Sequence, residues 1–104
     1  MITRYRGDTH PIVFQLSIVK PDASIEYLEN VVSVDFTYIK KTIPIVLSGV
    51  ITDVAQGLVR FDILPSVFDT VVNTTFDIQA IFIDGTKRTF IRDNLKITDD
   101  VNKL

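Results

Sequence analysis

Apolar side chains in this chain recur at every second position and almost never at the three-and-four spacing of a helix, so its long segments read as half-buried strands. The run VVSVDFTYIKK is the clearest case. Val32, Val34, Phe36 and Tyr38 fall on one side, and Ser33, Asp35 and Thr37 on the other. Because side chains alternate across a strand, the first set is expected in the core and the second in water. The same reading places Ile12, Phe14, Leu16 and Ile18 inward in a first long strand, Val59, Phe61 and Ile63 inward in LVRFDIL, and Phe76, Ile78, Ala80 and Phe82 inward in TTFDIQAIFID.

Turn residues punctuate these strands at KPDAS, TDVAQG and IDGTKR. Asp84-Gly85 is the strongest turn signal, because a tight hairpin needs positive φ at its tip, and it pairs strand 75–83 with strand 87–92. Gly57 is expected in a similar left-handed position. Further strands are expected at Ile43–Leu47 and Gly49–Asp53, the first confined to an edge or a strand start by Pro44, and a last one using Leu95 and Ile97. LPSVFDT is the one stretch expected to be helical, a short turn near residues 65–71 that Pro65 and Ser66 would start. About seven short strands with such punctuation predict an all-β, antiparallel, immunoglobulin-like β-sandwich. A length of 104 residues predicts a single domain over 1–104.

Composition narrows the chemistry. Thirteen acidic against eleven basic residues leave a net charge of −2, with no surplus for phosphate backbones, so nucleic acid is not an expected partner. No apolar run reaches membrane-spanning length, and the start MITRYRGD lacks the apolar core of a signal peptide, so no membrane association is expected. Cysteine is absent, which removes disulfides and thiolate metal sites. Mean hydropathy is nonetheless positive, which suggests strand faces covered by other chains.

No catalytic, metal or cofactor-binding residue is predicted, and the chain is expected not to be an enzyme. His10, the single histidine, could act as a base oriented by Asp8, but no serine or cysteine nucleophile stands in a recognisable motif, and it reads as a turn residue at a strand start. Asp84, Asp93 and Asp99-Asp100 lack the spacing of a calcium loop. The basic residues Lys87, Arg88 and Arg92, joined by Arg4 and Arg6, read as the wet face of an edge strand. Tyr5 and Tyr27 are candidate surface rings for a sugar. Val13, Val19, Leu58, Ile81 and Ile83 sit on nominally outward positions and form the candidate protein-contact surface. Arg6-Gly7-Asp8 spells an adhesion tripeptide, but the buried strand that follows at once makes Gly7 and Asp8 a turn that aims it.

Four segments in order, RGDTHPIVFQLSI, Leu28–Val34 leading into DFTYIKK, GVITDVAQGLVRFDI and FDIQAIFIDGTKRTFIRDNLKITDDV, carry a likeness over nearly the whole chain. In them the sequence resembles small immunoglobulin-like β-sandwich domains of tailed-phage virions, notably the N-terminal domain of baseplate upper proteins and related tail or capsid accessory modules. It departs from them at KPDAS, which lacks the usual glycine, at Phe76, where such domains often have a tyrosine after a glycine, and at IRDN, in place of a glycine-containing approach to the last strand. The resemblance implies a non-catalytic virion protein, made in the host cytoplasm, that docks other virion subunits or further copies of itself. The alternative is a soluble module that binds carbohydrate or a host surface.

Overall fold

The computed structural model describes residues 1–99, which are all-β. Ten strands follow in chain order: β1 (Ile2–Tyr5), β2 (Ile12–Gln15), β3 (Ile18–Val19), β4 (Ile25–Glu26), β5 (Val31–Lys40), β6 (Ile43–Ser48), β7 (Val50–Asp53), β8 (Leu58–Phe61), β9 (Val72–Phe82) and β10 (Lys87–Thr98). They form a five-stranded sheet in the order β1-β10-β9-β5-β6, a three-stranded sheet β2-β8-β7, and the two-stranded ribbon β3-β4. The expected hairpin across Asp84-Gly85 is the β9–β10 pair, and Pro44 lies on β6, at a free edge of the larger sheet.

The two larger sheets meet through their inward side chains. Phe36 on β5 stacks on Phe76 of β9 with ring centroids 4.9 Å apart, and Phe61 of β8 closes on Phe36 at 5.7 Å. Phe14 of β2 bridges to both sheets, 6.1 Å from Phe61 and 6.2 Å from Phe76. Val34, Phe36, Tyr38, Val59, Phe61, Ile63, Phe76, Ile78 and Ala80 are all buried in one cluster, as the alternation predicts. No polar or charged residue is buried with them among the described residues.

Several expectations need correction. Among the described residues there are ten strands rather than about seven, and the larger sheet is not purely antiparallel, because β1 runs parallel to β10. The first long strand divides at Leu16, whose N–H leaves the ladder for the Gly57 carbonyl at 2.9 Å, although Leu16 and Ile18 stay buried. β10 runs on through the polar Arg92-Asp93-Asn94, where Arg92 forks onto Asp77 and Asp93 takes the Met1 ammonium at 2.8 Å. Val32 is 63% exposed instead of inward, because a register shift between Val31 and Ser33 turns Val31 to the core in its place. Leu64–Val67 is a hydrogen-bonded turn, and no helix occurs among the described residues. Phe68 and Val67 are buried there all the same.

That connection is pinned by Tyr38. Its ring is buried against Phe68 and its hydroxyl donates to the Val67 carbonyl. Burial first, and the Asp69 carboxylate second, push the phenol up to about 12 from its ordinary 10.0. Between those values the unfolded chain releases a proton that the fold retains, so this contribution to stability is complete below pH 10 and declines as pH rises through 12. Tyr38→Phe is expected to cost roughly 1 kcal/mol at neutral pH, by leaving the Val67 carbonyl without its donor. It should also flatten the alkaline fall of Tm, which thermal melts across that range measure directly.

Gly49 is where the chain passes from one sheet to the other. Its N–H donates to the Val34 carbonyl at 2.7 Å, and a Cβ there would lie 2.6 Å from Val59 Cγ1 and 2.9 Å from Phe61 Cε1. The two long-sheet strands that flank the core are far longer than the 4-residue β2, β7 and β8, so the β9–β10 hairpin overhangs the smaller sheet. The described chain is accordingly elongated, 53 × 26 × 21 Å, with a radius of gyration of 15.1 Å where a compact domain of this size has about 13 Å.

Candidate functional site

Two turns of the chain share one design. In Lys20–Ser24, the Lys20 N–H donates to the Ser24 carbonyl and the Ala23 N–H to the Lys20 carbonyl; in Phe82–Thr86, Phe82, Thr86 and Gly85 repeat both bonds. Asp22 and Asp84 each accept from the backbone N–H and the hydroxyl two residues on, at 3.0 and 2.5 Å from Ser24 and 3.0 and 2.6 Å from Thr86. Those bonds, the hydroxyl first, hold both carboxyls below the usual carboxylate range. The fourth residue of each turn is left-handed, Gly85 at φ 85° and Ala23 at φ 68°. The glycine missing from KPDAS is thus replaced by an alanine that carries the strain. Ala23→Gly is expected to stabilise the protein by about 0.5–1 kcal/mol, since a left-handed alanine costs roughly 1–2 kcal/mol and glycine returns part of that as chain entropy. Urea unfolding of the two proteins checks it.

Beside the second of these turns lies a groove of about 570 Å³, lined by Ile83, Asp84 and Thr86 of that turn and by Glu26 of β4. Ile18 and Phe82 form its apolar floor, and Phe82 is backed by Phe90, 6.4 Å away. Asn30 ties the walls together: its carbonyl accepts the Ile83 N–H at 2.9 Å, and its side-chain amide donates to Glu26 Oε1 at 2.7 Å. The start of β10 completes the rim, with Arg88 on the groove's side and the Lys87 side chain on the opposite face.

The residues singled out from sequence do not all meet here. Val13 and Leu58 share the outward face of the three-stranded sheet, whereas Ile81 is on the outward face of the five-stranded one, directed away from them. Val19, 70% exposed, is on β3, and Ile83, also 70% exposed, sits in the hairpin turn on the groove wall. The five therefore do not make one continuous patch. An apolar edge that sequence reading passed over is continuous: Ile39 faces Pro44, and Val46, 57% exposed, follows on the same side of β6.

The basic residues are dispersed by pairing. Arg92 binds Asp77 at 2.7 Å, Arg6 binds Asp99 at 2.8 Å, and Arg4 reaches Asp8 at 3.1 Å and the His10 carbonyl at 3.0 Å. Of this cluster only Lys87 and Arg88 have no ion-pair partner among the described residues. Arg6-Gly7-Asp8 is a turn: the Asp8 N–H donates to Tyr5, Gly7 stands at φ 84°, and the Gly7 N–H is fixed to the Phe68 carbonyl at 2.8 Å. The His10 N–H, at 2.9 Å, leads the bonds that hold the Asp8 carboxyl below its ordinary range, and the exposed His10 ring lies 3.3 Å from the same oxygen.

Asp84, Asp93 and Asp99 each serve a separate partner, Asp100 lies outside the described residues, and no group of three metal-ligating side chains converges among those described. Glu26, Asn30 and Ile18 of the groove were not predicted as site residues. The only sequence signal at the groove is the turn IDGTKR, which supplies one of its walls. No family model matches the chain, and no curated protein matches it.

Proposed function

We propose that the chain is a non-catalytic structural subunit of a tailed-phage virion, an immunoglobulin-like β-sandwich of the baseplate, tail or capsid, made in the host cytoplasm and acting through protein–protein contacts. The sequence resemblance supports the particle, and the two sheets packed on one aromatic core support the sandwich. The observation that carries the contact role is the free β6 edge, where Ile39, Pro44 and Val46 lie exposed and side by side. An unpaired edge with an apolar flank is a surface that another chain can extend or cover, and a protein left with it bare would risk aggregation. The partner is another virion subunit or a further copy of this chain.

Mass spectrometry of purified particles from the source system tests the reading. The chain is expected among the particle proteins in stoichiometric amount, and its absence from intact particles would reject the proposal. Val46→Arg should leave folding intact, because the side chain already faces solvent, while placing a charge in the middle of the proposed contact. Its expected signature is an unchanged Tm with reduced incorporation into particles.

A further inference from the structure

The groove at the overhanging end offers two kinds of recognition at once. Arg88 pairs with the inward Ala80 and so stands on the groove's side of β10, with no carboxylate of its own among the described residues, whereas Lys87 pairs with Ile81 and carries its side chain on the opposite face. An unpaired guanidinium is a fork suited to a ligand carboxylate. In the same lining, the Asn30 amide engages one oxygen of Glu26 and leaves the second Glu26 oxygen and the Asn30 side-chain oxygen open as acceptors. Beneath lie Ile18 and Phe82, apolar surface for a ring face or a methyl group. The volume, about 570 Å³, falls within the range of small-ligand sites, roughly 300–1,000 Å³.

We propose that this groove binds an acidic sugar, a monosaccharide bearing one carboxylate and several hydroxyls. Each half of the lining selects for that class. A neutral sugar would leave the Arg88 guanidinium unanswered. A bare carboxylate or phosphate would leave the Glu26–Asn30 acceptors without donors, and an acidic peptide would bring carboxylates against Glu26. A ligand with an anionic group at one end and hydroxyl donors at the other answers both, with its ring or an N-acetyl methyl on Phe82. The inference stands apart from the virion reading, and either can fail without the other.

The test is a heteronuclear NMR titration of the full chain at low salt with N-acetylneuraminic acid, beside N-acetylglucosamine and acetate. The acidic sugar is expected to give saturable shifts at the Asn30, Ile83 and Lys87 amides that the two controls do not reproduce. Arg88→Ala should weaken binding about tenfold, the loss of one charge-assisted contact, with its own spectrum reporting that the fold is kept. Lys96→Ala, which removes a cation from β10 outside the groove, should leave the affinity unchanged. Equal shifts with acetate, no saturation, or an Arg88→Ala protein that binds as well as the parent would overturn the proposal.

Discussion

Gly57→Ala is expected to destabilise the protein by roughly 2–5 kcal/mol, whereas Gly85→Ala should cost only about 1 kcal/mol. Both glycines are left-handed, Gly57 at φ 71° and Gly85 at φ 85°, so the backbone penalty for a Cβ is common to the pair. They differ in surroundings. A Cβ on Gly85 meets nothing within 4 Å, but one on Gly57 would overlap the Leu16 carbonyl oxygen and stand 2.8 Å from Tyr27 Cδ1. Leu16 cannot move aside cheaply, because its own N–H is bound to the Gly57 carbonyl and its side chain is buried. The excess loss in Gly57→Ala therefore measures how tightly the β7–β8 turn is docked on the break between β2 and β3. Equilibrium urea unfolding of both variants reads the difference, and equal losses would mean that this docking is looser than the geometry requires.

Phe36→Ala should cost about 3–5 kcal/mol, a large part of the roughly 5–15 kcal/mol that holds a domain together. The ring is fully buried and touches both sheets, stacked on Phe76 at 4.9 Å and lying 5.7 Å from Phe61. Its removal leaves a cavity that strands on both sides would have to close, and Gly49, wedged on Val59 and Phe61, limits how far the smaller sheet can follow. Chemical denaturation should show the midpoint falling with the slope unchanged. Phe90, partly buried beneath the groove and in contact with a single aromatic ring, is a milder site, and Phe90→Ala serves as the comparison.

Much of this core is legible in the chain. Val34, Phe36 and Tyr38, Val59, Phe61 and Ile63, and Phe76, Ile78 and Ala80 all point inward because period-two alternation survives wherever the ladder is regular. It misleads at Val32, where a bulge displaces the register by one residue, and no local signal marks that bulge. β1 escapes notice because its second inward position is Arg4, a charge that looks solvent-facing until Asp8 and the carbonyls of His10 and Pro11 are folded around it. LPSVFDT carries helix-start residues, yet Tyr38 and the core claim Val67 and Phe68 in a turn instead, so tertiary packing overrides the local preference. The groove is harder still to read, since Glu26 and Asn30 matter only once β4 is brought beside the β9–β10 turn.

The proposed mode of action of this domain is contact along its β6 edge. Particles assembled with equal amounts of the parent chain and Val46→Arg, then purified and quantified by mass spectrometry, give the most direct answer. The parent should be strongly enriched over the variant, with both proteins melting at the same temperature in isolation. Equal incorporation of the two, or particles containing neither, would contradict it.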